Sequence, residues 1–366
     1  MDSDFMDSIL YKIVPNFSIG GLYTHGYSYG TGEVNKTYCV FFQNSTYDRY
    51  LIQKINTTVF GDPSNIMENI YSITTHLQYI AKEEGTDPIN KTLNIIPTIG
   101  GNLYYTDQKG GCWRAMNFIE NTCTYQKAEN NGQVYSFGEA LGSFHADLAD
   151  FSPEDLYETE PNLHNTGHWL ERFKETVKLN PSKRVKKSKK EIDFLLSRES
   201  DANIITDLIE KGDLLRASHN NAKINNVLFD KDTEKAVCMI DFDTLMPGSY
   251  LFDFGEAVRT TASTSDENDS AKTSLDMNVF EEFTKGYLKK ASSVLSKDEI
   301  RLLPFSVKLM AYETAIKYLS DFLNGDRRYK TNSVNQNLER TRNQIKLIED
   351  IESQLSHMGQ IIKKYL

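Results

Sequence analysis

From residue 22 to about residue 60 the chain alternates short β-rich runs with turns, and beyond Glu120 it is written almost entirely in the helical period. That asymmetry is the strongest constraint on its fold. The runs 22–24, 37–42 and 50–55 read as an antiparallel meander. After the stop Gly61-Asp62-Pro63, the residues Ile66, Ile70, Ile73, Leu77 and Ile80 recur at helical spacing over 65–82. Two more strands follow, near 94–98 and 112–118, and helices are expected over 137–149, 166–179, 188–198 and 202–211. Strands return only at 227–229 and 236–240, which flank a turn and read as a hairpin, before a helical stretch over 276–366. The reading is an α+β chain of two lobes, a β-rich lobe over 1–120 and a mainly helical lobe over 121–366.

The 366 residues suffice for two such lobes, and a net charge of -10 makes the bulk surface repel nucleic acid and anionic membranes. A small-molecule substrate fits that balance better. Cys39, Cys112, Cys123 and Cys238 form no CxxC pair, which suits small core residues in a reducing compartment. The start of the chain is acidic where a secretory signal would be basic, and no apolar run approaches a membrane span. The expectation is a cytoplasmic monomer without nucleic-acid or membrane partners. The basic stretch 183–190 reads as a solvated loop and helix start.

A β-rich lobe followed by a helical lobe with one embedded hairpin is the outline of a two-lobed, protein-kinase-like fold, and the polar residues can be tested against it. His219-x-Asn221-x-x-x-x-Asn226 has the spacing of a kinase catalytic loop, in which a carboxylate stands two residues after His and an Asn five further on binds metal. Here the carboxylate position holds Asn221, and Lys223 lies inside the same segment. Asp241 closes the second strand of the hairpin, where its carboxylate could share Mg2+ with the Asn226 amide oxygen. Asp253-Phe254-Gly255 spells a kinase DFG but lies too far downstream, so a structural role at the start of the next helix is expected for Asp253.

Gly30 and Gly32 fall between two strands, which excludes the strand-to-helix glycine motifs and suits a flap over ATP phosphates. Lys54 ends a strand and is the expected phosphate-binding lysine; Ile52 on the same face would line the adenine pocket, and Glu68 on the next helix is the available partner for Lys54. The strand 113–120, with Met116, Phe118 and Ile119, is the expected adenine-binding hinge. His164 and His168 have helical ligand spacing without a third ligand, and His145-Ala146-Asp147 lacks a nucleophile.

Taken together, these residues resemble the aminoglycoside phosphotransferase superfamily and, within it, the bacterial N-acetylhexosamine 1-kinases. The likeness runs through Ile52-Gln53-Lys54-Ile55-Asn56, Trp113-Arg114, Leu163-His164-Asn165-Thr166, the segment 223–230, Ile240-Asp241-Phe242-Asp243-Thr244 with Met246-Pro247-Gly248, and the segment 321–326. It implies transfer of the ATP γ-phosphoryl group to the anomeric hydroxyl of an N-acetylhexosamine, with Asn221 at the base position and His219 and Lys223 beside it; the alternatives are a kinase of another small alcohol, such as choline, homoserine, methylthioribose or an aminoglycoside, and a nucleotide-binding pseudokinase module. It further implies Mg2+ at Asn226 and Asp241, and sugar contacts from Glu33, Asn221, Asp243, Thr244 and Lys317. Because an amide cannot accept the hydroxyl proton, the departure at Asn221 implies severely reduced turnover.

Overall fold

The computed structural model describes residues 9–30, 34–212, 214–269 and 272–366. Strands β1 (Leu22–Ser28), β2 (Lys36–Gln43) and β3 (Arg49–Ile55) form the expected meander, and β4 (Ile95–Ile96), β5 (Tyr105–Thr106) and β6 (Cys112–Asn117) complete one antiparallel sheet in which β3 lies between β2 and β6. The helix Pro63–Glu83 begins where the proline and an Asp62 cap on Ser64 N–H favour it. It buries Ile66, Ile70, Ile73 and Leu77 on one face.

Both faces of β3 are covered. Tyr50 and Ile52 pack with Leu10, Ile13 and Trp113 on one side, whereas Leu51 packs with Met116, Leu228 and Ile240 on the other. The second group draws on both lobes and fills the base of the cleft between them.

The helical lobe carries two small antiparallel pairings whose nesting positions the cleft. Strand β9 (Val227–Asp230) pairs with β10 (Ala236–Met239) and with β7 (Thr122–Cys123), while β8 (Arg216–Ser218) pairs with β11 (Met246–Gly248). Since β8 precedes β9 and β11 follows β10, the segments 219–226 and 240–245 are forced side by side. Ile240 N–H to Asn226 O, at 2.9 Å, closes the gap between them.

Below this lie the helices Asn131–Asp147, Thr166–Leu179, Tyr250–Thr261, Met277–Ala291, Lys297–Leu323 and Gln336–Lys364. The first starts six residues ahead of the expected 137 because Asn130 caps Gln133 N–H and extends it. It crosses Met277–Ala291 at contact distance, an approach that only glycine permits: a Cβ on Gly286 would lie 2.1 Å from Tyr135 O. No helix of the described residues is long and apolar enough to cross a membrane. Gly286→Ala is expected to lower stability by about 1 to 3 kcal/mol through overpacking, read as a lower unfolding midpoint in denaturant; an unchanged midpoint would remove the close-packing account.

Candidate active site in the interlobe cleft

Asp253 fixes the catalytic-loop segment. It sits in the first turn of Tyr250–Thr261 with no exposed surface, and its carboxylate accepts from His219 N at 2.9 Å, Asn220 N at 2.6 Å and His145 Nε2 at 3.0 Å. The backbone of Asn220 is left-handed, with φ 59°. Its side-chain amide donates to Ser218 O and Thr244 O, both at 3.1 Å, so the loop and the turn after Asp241 are tied together.

Around that anchor the structure brings Asn221, Asn226 and Asp241 together as the spacing implied. Asn226 Nδ2 donates to Asn221 O at 2.9 Å, which leaves its amide oxygen as the atom for a cation. Asn221 Nδ2 lies 3.5 Å from Asp241 Oδ2. Asp241 is also held left-handed, φ 67°, at the end of the hairpin. Burial and then the neighbouring Asp243 raise its carboxyl to about 7, against the opposing charges of Arg114 and Lys223. Two hard oxygen donors, one of them a carboxylate whose ionisation a cation would favour, fit a divalent metal completed by phosphate oxygens and water. Lys223, with its Nζ 3.4 Å from Glu256, is the cation beside them.

His219 was expected among the catalytic groups, but its ring is wholly buried between Phe144 and Phe242 and its Nε2 donates to Ile240 O at 2.9 Å. Burial lowers its pKa, which favours the neutral ring, and it braces the loop from inside the protein.

The sheet corrects three further expectations at once. Ile52 is fully buried under the far face of the sheet, away from the cleft. Lys54 shares that face: its Nζ is 5.4 Å from the Trp113 ring centroid. There it lies near Asp107, whose carboxyl burial raises, but which hydrogen bonds from Trp113, Gly111 and Lys109 and the Lys54 charge bring below its ordinary value. Glu68 is exposed, takes a hydrogen bond from Ser64 and lines a cavity of about 740 Å³ with Asn16, Thr98 and Asn102, so no Lys54–Glu68 pair forms. The residues that face the cleft are Leu51 and Gln53, one position earlier. A register slip of one residue turns every side chain to the other side of a strand.

Of the hinge residues, Met116 and Ile119 line the apolar base of the cleft with Leu51, Leu228 and Ile240. Phe118 is covered by the Arg49 guanidinium, 4.1 Å from its ring centroid, and by Tyr29. Gly30, at φ 77°, ends the described part of the first strand's exit; Gly32 and Glu33 lie outside the described residues.

The expected sugar contacts divide differently. Asp243 is 2 % exposed, and both its oxygens are taken by Arg114, at 2.7 and 2.8 Å, and by Asn35 at 2.7 Å, so it forms an interlobe ion pair in place of a substrate-facing wall. Thr244 is buried and donates to His219 O at 2.9 Å. Lys317 donates to Leu163 O and to Glu313, each at 2.8 Å, and lies over Trp169. His164 joins that network, with one ring nitrogen 3.0 Å from Glu313 and the other 3.0 Å from Asn220 O.

Arg114, Gln53, Glu256, Arg259 and Glu313 were not singled out in the sequence. Glu256 holds Arg259 at 2.8 Å, and Arg259 reaches Glu267 at 3.0 Å. Burial pushes Glu256 up, but Arg259 and Lys223 bring it well below its ordinary value. Burial likewise raises Glu313, and Lys317 and His164 more than offset this to hold it at about 2.

A model of the phosphotransferase enzyme family matches residues 96–288, more than half of the chain. Solved structures of similar fold include a microcompartment-associated aminopropanol kinase, 15% identical with a TM-score of 0.59 over 96% of this chain and 98% of that one. Spectinomycin phosphotransferase APH(9)-Ia in complex with ADP and spectinomycin is 12% identical, TM-score 0.60, over 96% and 99%. Amicoumacin kinase hAmiN in complex with AMP-PNP, Ca2+ and Ami is 14% identical, TM-score 0.56, over 94% and 96%. At these identities the likeness is one of fold.

Two outcomes follow from the geometry. Lys54→Ala should leave Mg–ADP affinity within about twofold, since a strand lysine over an aromatic ring contributes on the order of 1 kcal/mol locally and faces away from the cleft; a large loss in calorimetric titration would return Lys54 to the phosphates. In metal-free protein, Asp241→Asn should raise the melting temperature at pH 8 and not near pH 4. The raised carboxyl destabilises the fold as pH climbs from its ordinary value through about 7, and a rise of equal size at both pH values would contradict this.

Proposed function

We propose, from the premise that this chain belongs to the phosphotransferase enzyme family, that it binds Mg–ATP in the cleft and directs the γ-phosphoryl group toward a hydroxyl of a neutral, hydroxyl-rich acceptor of the N-acetylhexosamine class, at the anomeric position. Met116, Ile119, Leu51, Leu228 and Ile240 would receive the adenine ring. Asn226 and Asp241 would hold the metal, which supplies charge neutralisation to the phosphates, and Lys223 would face the transferred group.

The charge on the acceptor side carries the choice of acceptor. Glu256 is matched by Arg259 and Lys223, Glu267 by Arg259 and the Tyr318 hydroxyl, and Glu313 by Lys317 and His164. An acceptor with a cationic amine needs an uncommitted carboxylate beside the catalytic loop, and these three are all committed. A sugar, which needs hydrogen-bonding groups and no net charge, suits such a wall.

Asn221 favours a second reading, a module that binds nucleotide with little turnover. Its amide can orient the acceptor hydroxyl, but no lone pair of suitable basicity accepts the proton; a general base contributes about a hundred- to ten-thousand-fold. The variant Asn221→Asp separates the two. A gain of that order in ADP formation dependent on N-acetylglucosamine or N-acetylgalactosamine supports the sugar kinase. Mg–ADP binding with no sugar-dependent turnover in the variant would leave the binding module, and preference for ethanolamine or choline over both sugars would overturn the acceptor assignment.

A further inference from the structure

Arg114 is the most heavily committed side chain in the cleft. Its Nε and Nη2 donate to Gln53 Oε1 at 2.8 and 2.5 Å, Nη1 and Nη2 donate to the two oxygens of Asp243, and Nη1 also approaches Met67 Sδ at 3.9 Å. All five of its N–H groups are therefore spent inside the protein. With 2 % of its surface exposed, it has no donor left for a phosphate. Its partner is equally crowded. Asp243 Oδ2 also accepts from Asn35 Nδ2 at 2.7 Å, and Asn35 Oδ1 accepts from Asn56 N at 2.8 Å.

These contacts join four parts of the molecule that the chain keeps far apart. Asn35 immediately precedes strand β2, Gln53 and Arg114 stand on neighbouring strands of the sheet, and Met67 belongs to the helix Pro63–Glu83. Asp243 lies two residues beyond Asp241, in the turn Phe242–Thr244, whose Thr244 is bonded to the backbone of the catalytic loop. A buried ion pair is not by itself a source of stability, because an apolar pair of similar volume often does as well. What an ion pair with bidentate geometry supplies is a fixed mutual orientation.

We infer that the Arg114–Asp243 pair, with Gln53 and Asn35, is a positioning device that sets the metal-binding turn in register with the sheet, so that metal-dependent nucleotide binding relies on two side chains that touch neither ligand. The inference rests on the kinase reading above. It extends that reading to a link between sheet and metal turn in place of the expected Lys54–Glu68 pair, which the structure does not form.

The test compares ADP affinity with and without Mg2+ by calorimetry. It uses the native chain and the double variant Arg114→Met with Asp243→Leu, an apolar exchange chosen to preserve the fold. The expected result is an unfolding temperature close to native, a metal-free ADP affinity close to native, and a loss of about ten- to a hundredfold in the gain that Mg2+ confers, the range seen when groups orienting metal ligands are removed. Amide exchange at Leu245, whose N–H bonds to Phe242 O, should speed up in the ligand-free variant. Asn35→Ala, which leaves the ion pair in place, should lose a smaller part of the same gain and serves if the double variant fails to fold. An unaltered Mg2+ gain in a folded double variant, or in Asn35→Ala where the double variant does not fold, would overturn the inference and leave the kinase reading standing. A native chain whose ADP affinity does not respond to Mg2+ would overturn both.

Discussion

Asp253 accepts three hydrogen bonds while fully buried, two from backbone N–H groups of the catalytic loop and one from His145. An unpaired carboxylate there would be prohibitive; these donors, together with the N-terminal end of its own helix, make the charge tolerable. Every later feature of the cleft depends on that arrangement. Asn220 beside it is left-handed and its amide binds the turn after Asp241, while Asn226 is bonded back to Asn221 O.

The parts of the site that are consecutive in sequence were legible. The hairpin before Asp241 was legible because local pairing and short loops leave few alternatives, and it brings the segment 219–226 beside Asp241. The DFG triplet at Asp253 could be set aside on the same ground of distance along the chain. The sheet was another matter. Tyr50-Leu51-Ile52-Gln53-Lys54-Ile55 is a central strand buried on both faces, so it has no alternation from which to read inside and outside. An isolated lysine then looks like a ligand for phosphate, and Ile52 like an adenine contact, although both lie one register position from the cleft.

Buried ion pairs were the other blind spot. Arg114 and Asp243 are 129 residues apart in sequence, His164 and Glu313 are 149 apart, and nothing in local composition announces such pairings. The sign that was present is the density of polar residues, Gln53, Arg114 and Asn117, on strands whose neighbours are apolar. Polar side chains on interior strands have to find partners: Gln53 and Asn117 find theirs at Thr37, Arg114 and Asn94 of the same lobe, and Arg114 reaches Asp243 of the opposite one.

The short approach of the Asn221 amide to Asp241 bears on how the site assembles. With a carboxylate at both positions, the resting loop would carry two like charges about one hydrogen-bond length apart and would depend on a cation for its geometry. With an amide donor at 221 the 3.5 Å contact is a weak attraction in place of a repulsion, so it does not oppose the loop's shape in the absence of a cation. A loop built in that way would surrender little conformational entropy when a ligand binds.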